Sequence, residues 1–160
     1  MDFTATAPAE TGGITLEQWE GISGTSVANL TSNAAYPNSP TSVTTLEGLF
    51  EAPTDISANF GRRVRGWFRL PTTGAYTFRI ASDDNSDLWL STTASEANKV
   101  EIASVTGFTN SREWMKFTSQ TSSAITGSVT VQGRHAPGAG VGAQTFTGPL
   151  NYGATASLRW

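Results

Sequence analysis

Residues 61–91 read GRRVRGWFRLPTTGAYTFRIASDDNSDLWLS, and the alternation inside this stretch decides the fold class. From Arg62 to Leu70, Val64, Gly66, Phe68 and Leu70 fall on one side of an extended chain and Arg63, Arg65, Trp67 and Arg69 on the other, because successive side chains of a strand point to opposite faces. Pro71-Thr72-Thr73-Gly74 follows, with a proline that cannot donate to a ladder and a glycine free to take positive φ. In the return run Tyr76, Phe78 and Ile80 point one way and Ala75, Thr77, Arg79 and Ala81 the other. The spacing predicts a β-hairpin whose core face is Val64, Phe68, Leu70, Tyr76, Phe78 and Ile80. Next come the acidic run Ser82-Asp83-Asp84-Asn85-Ser86-Asp87 and an apolar Leu88-Trp89-Leu90, so the acids sit at a tip between two strands.

Outward from this stretch the same texture continues. Ile14, Leu16, Trp19 and Ile22 suggest a short strand and a helical turn. Residues 32–57, with Pro37, Pro40 and Pro53, read as a long irregular connection anchored by Leu46, Leu49 and Phe50. Further strands are expected at 99–105, 112–118, 125–134 and 154–160. The Gly- and Ala-rich segment 136–153 reads as a loop with local pairing near Gln144-Thr145-Phe146-Thr147. Residues 1–12 read as a flexible N-terminal arm and 13–160 as a single domain. The expectation is an all-β fold, an antiparallel β-sandwich or barrel with long irregular connections.

Composition agrees and removes several chemistries. Charged residues are 14% of the 160, while Gly alone numbers 16, a balance suited to short strands and many turns. A net charge of −3 gives no long-range attraction for nucleic acid, and no run of eighteen apolar residues suits membrane insertion. Without cysteine there are no thiolate metal sites, thiol nucleophiles or disulfides. The single histidine, His135, cannot build a His-based zinc triad, and no Gly-x-Ser-x-Gly nucleophile elbow accompanies it. No enzyme activity is expected.

Gly66 with the aromatic after it, Gly74-Ala75-Tyr76-Thr77-Phe78, the Asp83-Asp84 pair and Leu88-Trp89-Leu90 together resemble the protective-antigen-fourteen domain family. That family is a β-sandwich module of toxins, flocculin-type adhesins and glycosidases. Weaker similarity runs from about residue 13 to 125, through Trp19, Phe50-Glu51-Ala52-Pro53, Ile102 and Trp114. The C-terminal part departs from the pattern: no Asp or Glu follows Glu113, so the second loop lacks the acids that family members carry there.

Adjacent carboxylates at a tip repel unless a cation neutralises them, and hard oxygen ligands suit calcium. The resemblance implies that Asp83 and Asp84 are joined by a cis peptide and hold a calcium ion whose free positions are filled by sugar hydroxyls. On that implication the carbohydrate-binding residues are Asp83, Asp84, Asn85, Asp87, Trp89, Gln132 and His135, with backbone groups between Gln132 and Gly140 completing the shell. An Asp-Asp-Asn run is equally a common polar turn whose side chains cap backbone donors. Arg63, Arg65 and Arg69 form a basic face beside Trp67, read as a solvated outer surface or as paired with glutamates of the long connection.

The function expected is an extracellular, secreted or cell-surface carbohydrate-binding or adhesion module that is lectin-like and calcium-dependent, with a glycan or polysaccharide as partner and neighbouring domains of a larger surface protein as others. The alternative is a structural or assembly domain making protein contacts on a cell surface or in a filament, without sugar. A weaker third reading is an accessory domain of a glycosidase or toxin.

Overall fold

The computed structural model describes residues 14–47, 49–54, 58–66, 74–91 and 95–126, and the strand backbones at 130–135 and 143–146. Its strands are β1 (Ile14–Glu20), β2 (Ser42–Leu46), β3 (Phe60–Arg65), β4 (Ala75–Tyr76), β5 (Phe78–Ala81), β6 (Ser86–Ser91), β7 (Val100–Val105), β8 (Ile125–Thr126), β9 (Thr130–His135) and β10 (Ala143–Phe146). One short helix, α1 (Val27–Thr31), and 3-10 turns at Glu96–Asn98 and Thr118–Gln120 complete the elements. The fold is all-β, as the alternation predicts.

Six strands form one antiparallel sheet in the order β2-β1-β3-β9-β6-β7. The ladder begins and ends on different strands, so among the described residues it does not close into a barrel. A second layer consists of the pairs β5 with β10 and β4 with β8, and Ser122 ties it further by exchanging bonds with Phe78: Ser122 N donates to the Phe78 carbonyl at 2.9 Å and Phe78 N donates to Ser122 Oγ at 2.9 Å.

Between the layers lies the main core. Leu16, Val64, Leu88, Leu90, Ala103 and Val105 come from the large sheet, and Tyr76, Phe78 and Ile80 from the opposite layer. Every second residue of β6 and of β4–β5 is buried, which is the period-two pattern of a half-buried strand. Fully burying side chains such as Phe78, Ile80 and Leu88 contributes roughly 1.5–3 kcal/mol each.

Among the described residues, 62–65 do not pair with 75–81 as the hairpin expected across Pro71–Gly74 requires. Both edges of β3 are occupied, by β1 and β9, while β4 and β5 pair with β8 and β10. Alternation cannot separate the two outcomes, because either arrangement turns Val64, Tyr76, Phe78 and Ile80 into one core, as found. Phe68 and Leu70 lie outside the described residues.

Three smaller expectations change. The connection 32–57 contains β2, an edge strand on β1, and although Leu46 and Phe50 pack on the core, Leu49 is 65% exposed. The strand expected at 112–118 is a series of turns leading into the 3-10 helix, organised by the Gln120 side chain, whose Oε1 accepts from Phe117 N at 2.7 Å. The strand expected at 154–160 lies outside the described residues. The residues around Gln144 do pair, as β10, but with the distant strand β5 rather than locally.

The outer face of β1 and β3 carries a second cluster of Trp19, Ile22 and Leu30, with Ala35 and Tyr36 packed on it. α1 is started by Ser26, whose hydroxyl accepts from Asn29 N, and it sets Leu30 down on Gly61. A methyl group at position 61 would stand 2.7 Å from Leu30 Cδ1, so only glycine admits the helix this closely.

Candidate functional site

The acidic tip joins β5 to β6, so its two ends are fixed by strands in different layers. The Asp83–Asp84 peptide bond is cis. Immediately before it, Ser82 is buried and makes a dense set of bonds. Its N–H donates to Thr109 Oγ1 at 2.9 Å, and its carbonyl accepts from Thr109 N at 2.7 Å and from Thr109 Oγ1 at 3.1 Å. The Ser82 hydroxyl donates to the Asp84 carbonyl at 2.7 Å and shares a 2.6 Å bond with Ser86 Oγ. From another side Asn85 N donates to the Thr25 carbonyl at 3.2 Å, in the loop before α1. Two separate segments and the loop's own serines thus hold these residues.

The acids themselves are half-buried. Burial pushes the Asp84 carboxyl up to about 6, and the charge of Asp83 and a hydrogen bond between the two side chains add to the rise. A carboxyl disfavoured by burial and by its neighbour's charge carries an electrostatic cost, which a proton or a cation at the tip removes.

The predicted site residues separate into two groups. Asp83, Asp84 and Asn85 form the tip. His135 ends β9 and pairs in register with Ser86, the first residue after the tip, so its backbone reaches the same end of the sheet. Gln132 pairs with Trp89, three residues further along both strands, about 10 Å away. Asp87 and Trp89 alternate with buried Ser86, Leu88 and Leu90, which turns them to the outer face of the large sheet, away from the core. The structure therefore gathers Asp83, Asp84, Asn85 and the end of β9, and sets Asp87, Trp89 and Gln132 apart along the strands. Among the described residues no three His, Cys, Asp or Glu side chains converge as a metal group. The two tip carboxyls offer four oxygens toward the six to eight that calcium takes, and backbone carbonyls, Asn85 and hydroxyls of a ligand have the right chemistry for the rest.

The basic face resolves differently from the expectation of glutamates in the long connection. Glu17, on β1 and only 5% exposed, accepts from Arg63 Nε at 2.5 Å and from Arg65 Nη2 at 2.8 Å. Burial works to lower the Arg63 pKa, but the hydrogen bond and charge of Glu17, with Tyr36, outweigh it and hold the guanidinium above its ordinary value. Arg63 also lies over the rings of Trp19 and Tyr36. Arg62, on the core side of the same strand, is wholly buried, and that burial pushes its pKa down to about 10 against the opposing charge of Glu20. Its Nε donates to Gln18 Oε1 at 2.7 Å and its Nη1 to the Pro53 carbonyl at 2.7 Å. These arginines hold the sheet and its coverings together. Arg69 lies outside the described residues.

Sequence reading missed Thr25, Ser82, Ser86 and Thr109. The one available signal was the pair of serines flanking the acids four residues apart.

The PA14 domain family profile matches residues 27–129, well over half of the chain. A mouse (Mus musculus) protein, N-acetyl-beta-glucosaminyl-glycoprotein 4-beta-N-acetylgalactosaminyltransferase 1, is 34% identical over 116 residues, which is 69% of this chain and 11% of that protein. The chain thus spans a small part of that relative's length.

Proposed function

The chain belongs to the PA14 domain family, and from that premise we propose that it is an extracellular carbohydrate-binding or adhesion module whose Asp83–Asp84 tip holds calcium shared with glycan hydroxyls. The observation that carries this reading is the tip itself: two half-buried, adjacent carboxyls whose loop is fixed by Thr109 and Thr25 at the end of β6. A link to sugars is supported by a relative whose name describes transfer to a glycoprotein glycan, and it applies here only as part of the proposal. Asp83 and Asp84 hold the ion, and calcium would bring neutralisation of the pair and open positions for vicinal hydroxyls. The Ser82, Ser86 and Thr109 bonds keep the tip in place without the ion.

Binding rather than catalysis fits the pair. Glycoside cleavage uses two carboxyls facing each other across a sugar at roughly 5–10 Å, whereas these are consecutive residues on one loop tip.

Thermal unfolding in millimolar calcium and in chelator, followed by a glycan array in both buffers, tests the proposal. A ligand at a hundred times its Kd stabilises the folded state by about 2.7 kcal/mol, a midpoint shift of roughly 5–10 °C for a domain of this size. Equal midpoints, with array binding indifferent to chelator, would overturn the calcium mechanism.

A further inference from the structure

The segment from Thr106 to Phe117, between β7 and the 3-10 turn, has no strand or helix and yet is thoroughly anchored. Thr109 is buried against Ser82. Gln120, also buried, donates from Nε2 to the Ile80 carbonyl at 2.8 Å and to the Glu113 carbonyl at 2.6 Å. Glu113 Oε2 in turn accepts from Asn110 N at 2.9 Å, and Arg112 Nη2 pairs with Glu51 at 2.7 Å. Loops fixed this way by a scaffold are where binding side chains are commonly presented.

What this loop presents is apolar. Phe108 is 54% exposed and Met115 80% exposed. Lys116 holds Phe108 in position: its Nζ donates to the Phe108 carbonyl at 2.8 Å and lies 3.7 Å from the ring centroid, over one face. Along the backbone Phe108 is also close to the acidic tip. It is the neighbour of Thr109, Asp83 is the neighbour of Ser82, and those two neighbours are bonded to each other, so each site residue is one 3.8 Å chain step from the clasp.

We propose that Phe108 is the stacking platform of the same site, receiving the C–H face of a neutral hexopyranose whose hydroxyls are held at Asp83 and Asp84. Small-molecule sites pair an aromatic or apolar wall with a few convergent polar groups, and tip and loop together supply both. An exposed phenyl ring forgoes its own burial; one pinned by a lysine on an anchored loop is already ordered for a partner, which lowers the cost of binding. This inference rests on the glycan reading above and adds the residue that gives it shape selectivity.

The test compares wild type, Phe108→Ala and Phe108→Trp on an array of terminal hexopyranosides in millimolar calcium, then on the methyl glycoside of the strongest binder. The expected result is a roughly tenfold or greater loss of glycan affinity in Phe108→Ala, retention in Phe108→Trp, and the same calcium-dependent midpoint shift in all three. Undiminished binding by Phe108→Ala would overturn the platform alone and leave the calcium site standing. Loss of the calcium shift together with binding in Phe108→Ala would make the residue a structural support and overturn its role as a platform. A wild type that binds no hexopyranoside would bring down both this inference and the glycan reading beneath it.

Discussion

Ser82 and Thr109, twenty-seven residues apart, are clasped by three hydrogen bonds in a buried position directly beneath the acidic tip. Two of the three involve the threonine hydroxyl, so one side chain joins the β5–β6 loop to the segment after β7. The geometry of the tip is thereby set by protein contacts that a ligand does not have to create.

Replacing Thr109 by valine keeps the shape and removes the hydroxyl, leaving the buried Ser82 N–H without its acceptor. Such an orphaned donor costs about 1–3 kcal/mol. Denaturant unfolding should show a loss in that range, and calcium affinity should fall with it because the tip is no longer held. A variant as stable as wild type would show that the clasp is dispensable.

Glu17 joins β1 to β3 through both Arg63 and Arg65. Glu17→Ala leaves Arg63 without its carboxylate on a mostly buried face, where breaking such a group costs several kcal/mol; the partial exposure of Arg65, which keeps Glu96 at 3.8 Å, holds the total to about 2–3 kcal/mol. A fall in the urea midpoint with an unchanged denaturant slope is the expected signature. Glycan binding at saturating stability should be unaffected, since this pair lies on the outer face of the sheet.

The elevated Asp84 pKa makes a signed prediction. Its folded value, raised from 3.8 to about 6, means that the folded chain binds this proton more tightly than the unfolded one between those pH values. In chelator, therefore, Asp84 contributes stability that grows as pH falls from about 6 toward 4 and is lost on returning to neutrality. The term is on the order of 1 kcal/mol after solvent screening. It is read as the stability difference between wild type and Asp84→Asn, which should shift in favour of wild type on acidification. On the calcium proposal the direction reverses when the ion is present, because proton and ion would compete for the same carboxyls. A wild type minus variant difference that is flat with pH in chelator would contradict the assignment.

The sequence revealed the parts of this molecule whose chemistry is local. Tyr76, Phe78 and Ile80, and then Leu88 and Leu90, announce their buried face by alternation, and all five lie in the core. Strand partners were another matter. β3 and β4–β5 look like a hairpin because alternation records which face is buried and not which neighbour supplies the hydrogen bonds. β2 was hidden because Ser42-Val43-Thr44-Thr45 is an edge strand exposed on both faces, with no period to read. Around Trp114, Met115 and Phe117 an aromatic-rich stretch suggested a strand, but buried Gln120 turns the backbone there through bonds that no periodicity encodes. At the site, Asp83 and Asp84 stood out as adjacent like charges and Asn85 with them. Thr25, Thr109 and Phe108 did not, because their relation to the tip exists only once distant segments are folded together.

Isothermal titration of calcium into the wild-type chain and into an Asp83→Asn, Asp84→Asn variant tests the central claim most directly. The wild type should bind one calcium ion per chain, the variant none, and both should unfold cooperatively. A wild type silent at millimolar calcium, or a variant that binds as the wild type does, would contradict the account.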